Sequence, residues 1–149
     1  MRAVVQRSAA ARVDVGGRTI ARIDGGLVVL LGLAPHDGDA EVAWIVDKLV
    51  HLRVFTDHAG KMNLSVLDVE GEVLVVSQFT LYGDARRGRR PSFAGAARGP
   101  DAEAVYNEVV AGLRAAGVST VTGRFGATMD VTLTNEGPVT ILLDSAKTF

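Results

Sequence analysis

The chain has 149 residues, of which 48% are hydrophobic and 22% charged, and its formal net charge is −1. That composition excludes a disordered or low-complexity chain, because a domain of this length buries roughly 70% of its unfolded surface and the apolar content is there to do it. The absence of cysteine excludes disulfide scaffolds, thiolate zinc sites, iron–sulfur clusters and cysteine nucleophiles.

The near-neutral charge also excludes a global basic field, so contact with nucleic acid has to come from a local patch. The longest apolar run, Leu27–Leu33, is far too short to span a bilayer. Arg2 and Arg7 bracket a short apolar stretch that lacks a signal-peptide pattern. The expectation is a cytoplasmic protein of one domain, residues 1–149, with no membrane contact.

In chain order, Ala3–Val5 begins a strand, Val13 and Val15 suggest a second, and Gly16-Gly17 marks a hairpin into a return strand carrying Ile20 and Ile23. Asp24-Gly25-Gly26 turns the chain into Leu27–Leu31, a buried strand, and together these segments suggest an antiparallel meander. Asp37 or Asp39 can cap a helix over residues 39–51, whose apolar stripe is Val42, Ile45, Val46, Leu49 and Val50. Trp44 lies about 200° around from Val42 at about 100° per residue, off that stripe and suited to a half-buried place.

Leu52–Phe55 reads as a strand, Asp57–Asn63 as a polar loop, and Val73–Val76 as the most strand-like run of the chain. Residues 82–100 keep no period and form a long loop. Asp101 can cap a second helix with Val105, Tyr106, Val109, Val110 and Leu113 on its apolar face and Gly117 as its stop. Val118–Thr122 is a short strand, and Met129, Val131 and Leu133 alternate as a half-buried one. Asn135–Pro138 then turns into Val139–Leu143. The sum is an α+β domain, with a largely antiparallel sheet or barrel and two helices packed on one side.

Conventional catalytic signatures are scarce. His36, His51 and His58 have no metal-ligand spacing, and neither a phosphate-binding P-loop nor a dinucleotide fingerprint occurs. No obvious general base is present, and no metal or cofactor is implied. Ser77-Gln78-Phe79-Thr80-Leu81 follows the strongest strand, where polar side chains floor a pocket or simply cap the strand end. Ser77 and Thr80 carry hydroxyls but have no base nearby in sequence. Arg86, Arg87, Arg89 and Arg90 crowd a loop whose only nearby acid is Asp84, so the four cannot pair internally; they form a solvated loop or, as their crowding favours, meet a phosphate backbone. Gly137-Pro138 sits in a predicted turn whose peptide isomer the sequence leaves open.

Together these segments resemble the D-aminoacyl-tRNA deacylases, also known as D-tyrosyl-tRNA deacylases. The likeness runs through Met1–Arg7, Gly60–Asn63, Val76–Tyr82, Arg90–Phe93, Thr122–Ala127 and Asn135–Thr140. The paired Ser-Gln-Phe-Thr-Leu and Asn-x-Gly-Pro-x-Thr motifs carry its specificity. The resemblance implies a metal-free, cytoplasmic homodimer that cleaves the ester joining a D-amino acid to the 3′-terminal adenosine of tRNA, and that also removes glycine from alanine tRNA. It implies that Gly137-Pro138 is cis and enters the partner's pocket, whose wall includes Ser77, Gln78, Phe79 and Thr80. It implies that Phe125, Gly126, Ala127 and Met129 hold the terminal adenine. Thr80 as a covalent nucleophile and water assisted by the ribose 2′-hydroxyl both remain open here. A non-catalytic RNA-binding module and a purely structural dimer are the competing classes.

Overall fold

The structure, a computed structural model, describes residues 1–149. Its strands are β1 (Arg2–Val15), β2 (Arg18–Ile23), β3 (Gly26–Gly32), β4 (Phe55–Thr56), β5 (Met62–Leu64), β6 (Glu72–Ser77), β7 (Ser119–Thr122) and β8 (Asp130–Asp144). The helices are α1 (Asp39–His51) and α2 (Gly99–Ala115), and a single 3-10 turn covers Phe79–Tyr82. Six strands form one sheet in the order β2-β1-β3-β6-β7, with β8 on the other side of β1, while β4 and β5 form a separate small ribbon. The main sheet curls into a nearly closed barrel.

The α+β class and the two helices on one side stand, but the expectation of a largely antiparallel sheet is corrected. β1 pairs antiparallel with β2, β3 and β8. β3 pairs parallel with β6, and β6 parallel with β7. Each parallel pair is joined by a long connection containing a helix, the arrangement that lets consecutive strands run in the same direction. The sheet is therefore mixed.

The parallel centre explains why its strands are apolar without alternation. On one face Leu27, Val29, Leu31, Val73 and Val75 pack with Ile45, Leu49 and Val50 of α1 and with Tyr106, Val109 and Leu113 of α2. On the other face Val28, Leu74 and Val76 pack with Val13 and Ile23. The two helices meet closely at Gly112, where an added Cβ would lie 2.8 Å from Cγ2 of Val46. Trp44 is half-buried against the helix-side core, as its angular position predicts.

Several boundaries differ, and the two strands expected before Gly16 are one, β1. α1 is capped by Gly38, whose N–H donates to the Glu41 carboxylate at 3.0 Å, and α2 begins at Gly99 with Arg98 as its cap residue. The strand expected at Leu52–Phe55 shrinks to Phe55–Thr56. The expected turn at Asn135–Pro138 does not end a strand: β8 continues through it beside β1. Gln6 pairs with Thr140 and Ser8 with Asn135, so the four residues 136–139 bulge opposite Arg7 alone. Proline has no N–H to give to a ladder, which suits it to a bulge.

No helix is long and apolar enough to cross a membrane.

Candidate active site

β6 delivers its last residue, Ser77, beside Leu31 of β3, and the Gln78 N–H donates to the Leu31 carbonyl at 2.7 Å. The chain then leaves the sheet and winds into the Phe79–Tyr82 turn, closed by the Gly83 N–H to the Thr80 carbonyl at 2.9 Å. The far end of the turn is held by Arg2, whose Nη1 donates to the Leu81 carbonyl at 3.1 Å and whose guanidinium lies 4.6 Å from the Tyr82 ring centre.

At this strand end opens a cavity of about 580 Å³. Ser77, Gln78 and Phe79 line one side, and Phe125, Gly126, Ala127 and Met129 line the other. Two segments far apart in sequence thus meet at one site, because β7 lies next to β6 and the loop after it folds back over the β6 end. The Val75 carbonyl anchors that loop by accepting from the Gly123 N–H and from the Tyr106 hydroxyl, each at 2.9 Å. The Tyr106 ring lies 5.6 Å from the Phe125 ring, centre to centre, and supports it from below. Burial pushes the Tyr106 phenol well above its ordinary pKa, so it stays a hydrogen-bond donor.

The chemistry of the lining is narrow. It includes no His, Lys, Asp or Glu, and its one charged residue is Arg98 at the rim. The three histidines lie on the surface, with His51 bonded to Asp47 of its own helix at 3.1 Å. Thr80 stands exposed at the mouth, just outside the lining, and its hydroxyl accepts from the Gln78 side-chain amide. The N–H groups of Phe79 and Thr80 donate to no turn, loop or side-chain acceptor. The first N–H groups of a helical turn have no partner within it, so both are available to an oxyanion at the mouth.

Gly137 and Pro138 are exposed and do not line the cavity of their own chain. Their peptide bond is cis. Gly137 has φ of +121°, and an added Cβ would lie 2.8 Å from Cγ2 of Val139 and 3.1 Å from Nη2 of Arg7. Asn135 closes the base of the bulge: its Nδ2 donates to the Thr140 hydroxyl at 2.9 Å and its Oδ1 accepts from the Val139 N–H at 3.1 Å. That reach across the bulge is the physical content of the Asn-x-Gly-Pro-x-Thr spacing. Behind the bulge, Arg7 donates to the Val54 carbonyl at 2.7 Å and to the Glu136 carbonyl at 3.3 Å. Sequence reasoning missed Arg7 as a support, although an arginine inside a strand-forming segment was the available signal.

The one acid of the arginine loop takes one of its four arginines. Arg86 grips Asp84 through Nη2 at 2.6 Å and Nε at 2.9 Å. The Arg86 hydrogen bonds hold the Asp84 carboxyl well below the usual carboxylate range. Arg86 is thus paired, whereas Arg87, Arg89 and Arg90 are exposed and have no acidic partner. The long loop is also less irregular than its composition suggests. Asp84 and Ser92 exchange two backbone hydrogen bonds of 2.8 Å, and the Phe93 ring packs edge-on against Phe79 at 5.2 Å.

Comparison with known proteins agrees with this geometry. The sequence profile of the family described as D-Tyr-tRNA(Tyr) deacylase matches residues 4–144. The D-aminoacyl-tRNA deacylase of Desulfatibacillum aliphaticivorans is 57% identical over 145 residues, covering 97% of this chain and 99% of that protein. The D-aminoacyl-tRNA deacylase of Thermus aquaticus is 54% identical, covering 99% of this chain and 97% of that protein. Among solved structures, a protein named c-Myc DNA unwinding element binding protein superposes with a TM-score of 0.91 at 43% identity, covering 97% of this chain and 99% of that one. A probable eukaryotic D-amino acid tRNA deacylase shares the fold, with a TM-score of 0.82 at 19% identity over 95% of this chain and 97% of that one. With a profile match along nearly its whole length and full-length relatives above half identity, the chain belongs to the D-aminoacyl-tRNA deacylase family of hydrolases.

Proposed function

We propose that the cavity at the end of β6 hydrolyses the ester between a D-amino acid and the 3′-terminal adenosine of tRNA. The observation that carries this reading is the meeting of Ser77-Gln78-Phe79 and Phe125-Gly126-Ala127-Met129 around one cavity whose lining holds no carboxylate, His or Lys to act as a general base. The apolar end around Phe125 and Met129 takes the adenine. The ester carbonyl then faces the Phe79 and Thr80 N–H groups, which stabilise the tetrahedral oxyanion.

A water oxygen attacks the carbonyl carbon, the bond to the ribose 3′-oxygen breaks, and that oxygen leaves with a proton. The products are a free D-amino acid and tRNA with a 3′-hydroxyl. Because no side chain in the lining can take the water's proton, the neighbouring ribose 2′-hydroxyl assists. Thr80 acts as a positioning residue, its hydroxyl already engaged by Gln78.

Chiral selection comes from a second copy of the chain, whose Gly137-Pro138 bulge enters this cavity in a homodimer. Backbone carbonyls of the bulge hold the substrate's amino group in one orientation, so an L side chain meets the bulge and a D side chain points outward. Glycine has no side chain to exclude, and glycine mischarged on alanine tRNA is removed as well. This is specificity by clash, indifferent to the identity of the D side chain. Arg87, Arg89 and Arg90 meet acceptor-stem phosphates, and the enzyme works in the cytoplasm without metal or cofactor.

Single-turnover deacylation of D-tyrosyl-, L-tyrosyl- and glycyl-tRNA tests the reading. Rapid loss of the D and glycyl esters with the L ester spared is the expected outcome. Equal rates for D and L esters remove the bulge from selection, and no turnover of any ester refutes the hydrolase assignment in favour of a binding module. Thr80→Ala and a tRNA ending in 2′-deoxyadenosine separate the two mechanisms. A rate that collapses in the deoxy substrate and survives in the variant supports RNA assistance, and the reverse pattern makes Thr80 the nucleophile.

A further inference from the structure

Beside the candidate active site lies a second hollow of about 590 Å³, within the range of roughly 300–1,000 Å³ typical of small-ligand sites. The two cavities share a wall of Leu33, Phe93, Ala97, Arg98 and Ala102. Leu33 and Ala102 are buried in the core, so the partition rests on a rigid base.

Two charged groups lining the second hollow are unspent, and the first of them stands at the partition. The Arg98 guanidinium forms no salt bridge and no hydrogen bond, and its nearest notable contact is the Phe79 ring at 6.0 Å from its centre. Asp101 lines the second hollow, and its carboxylate likewise accepts no hydrogen bond. The other acid there, Asp37, is already committed to the Met1 ammonium at 2.6 Å and the Ala34 N–H at 2.7 Å. Apart from Ser92, the remaining wall is apolar and includes Pro35, Ala96, Val105 and the Phe93 ring.

We propose that this second hollow is the subsite for the penultimate nucleotide of the RNA end. The inference rests on the adenosine site proposed above. A strand that places its last nucleoside in the first cavity and the preceding one in the second must pass its linking phosphodiester over the partition, where Arg98 stands. A guanidinium there supplies charge-assisted hydrogen bonds to phosphate oxygens. The base lies against Phe93 and the apolar wall, a contact that tolerates any base. Asp101 accepts from the exocyclic amine of cytosine, the base that precedes the terminal adenosine of tRNA. The outward-pointing D side chain is the rival occupant. A free cation and a free carboxylate in one hollow match a nucleotide of constant charge better than side chains of every polarity.

The test compares D-tyrosyl esters of adenosine, adenosine 5′-phosphate and the dinucleotide CpA, together with the binding of unesterified CpA and adenosine. The ester of CpA is expected to exceed that of adenosine about tenfold in kcat/KM, mostly through KM, with the same ratio in binding. In Arg98→Gln that ratio falls towards one, and Arg98→Lys, which keeps the charge, retains part of it. Arg98 is exposed, and thermal unfolding verifies that both variants are folded.

Equal kcat/KM for the adenosine and CpA esters, or a ratio undiminished in Arg98→Gln, overturns the subsite. So does a loss in Arg98→Gln that depends on D-tyrosyl against D-alanyl and not on the nucleotide. Tighter binding of CpA without hydrolysis of any ester, full D-tyrosyl-tRNA included, keeps the subsite and sinks the deacylase reading. Hydrolysis without any CpA advantage does the opposite.

Discussion

The cavity at the end of β6 rests on completed interior packing, whereas the Gly137-Pro138 bulge of β8 stands in solvent on a few polar struts. Beneath the cavity, Val73, Leu74, Val75 and Val76 are buried on both faces of the sheet, and Tyr106 ties α2 to β6 and to Phe125. The bulge has Asn135 at its base and Arg7 behind it, and no apolar cover. The first region draws its shape from the same contacts that stabilise the fold. The second is an exposed projection that lines no cavity of its own chain. Damage to the cavity should therefore register first as lost stability, and damage to the bulge as lost discrimination.

The largest effect separating them is expected from Tyr106→Ala. It removes the ring under Phe125 and the hydroxyl on Val75, and destabilises by about 3–5 kcal/mol in urea denaturation, as aromatic truncations in cores do. The D-to-L ratio of whatever activity remains should match the parent. A changed ratio would show that the cavity wall itself takes part in chiral selection. Tyr106→Phe isolates the hydroxyl. It should cost about 1 kcal/mol, because Val75 keeps the Gly123 N–H as a partner.

Next comes Arg7→Ala, which breaks the charged donor's bonds to the Val54 and Glu136 carbonyls. A hydrogen bond from a charged group contributes about 1.5–3 kcal/mol; the bond to Glu136 is long and exposed and adds little, so stability falls by less than in Tyr106→Ala. The D-to-L ratio in single-turnover deacylation should collapse. If instead the ratio holds while both rates drop together, the bulge serves folding and not selection.

The arginine loop offers a smaller contrast. Replacing Arg87, Arg89 and Arg90 together should reduce the slope of log affinity for tRNA against log salt by about two to three, since each phosphate left without its arginine removes about 0.9. Arg86→Ala should reduce it less, because that guanidinium is already engaged by Asp84. An unaltered slope in the triple variant would remove the loop from RNA binding.

The smallest effect concerns Asp144, at the end of β8. Burial alone would raise its pKa, but hydrogen bonds from Thr148 and Ala146, with Arg2 nearby, outweigh it and the net shift is downward. A carboxylate with a lowered folded pKa stabilises above its unfolded value, near ~3.9, and loses that contribution as pH falls through the folded value. On acidification from pH 5 the amide resonances of Ala146 and Thr148 should hold until below about pH 4 and then move together. Resonances that stay flat down to pH 2, or that move unchanged in Asp144→Asn, would show that the carboxylate does not hold the C-terminal turn.

Much of both regions was readable from residues. The continuous apolar runs Leu27–Leu31 and Val73–Val76 announced strands, and the helical stripes named Ile45, Leu49, Val50, Tyr106, Val109, Val110 and Leu113, all buried, while Val42, Val46 and Val105 are half-buried and Ala102 was not foreseen. Trp44 fell where its angle put it. The Ser-Gln-Phe motif lies at the end of a strong strand, as its position suggested. The pairing of Arg86 with Asp84 was not legible, because it depends on the tight loop that brings an aspartate two residues away within reach. The turn at Asn135–Pro138 was misread because Gly-Pro breaks a ladder locally whether or not the strand resumes on the same partner.

What the sequence determined by itself was local in origin: the period of each element, the face each helix buries, and the side-chain reach from Asn135 to Thr140 that frames the bulge. These follow from dihedral geometry and solvent exclusion over a few residues. Only the tertiary structure decided which strands run parallel, that the 125–129 loop closes over the end of β6, that Arg7 braces a bulge 129 residues away, and that Arg98 stands between two cavities. Those outcomes depend on how crossovers route the chain through space. Hydrophobic period specifies which side of an element is buried, but not which distant segment it is buried against.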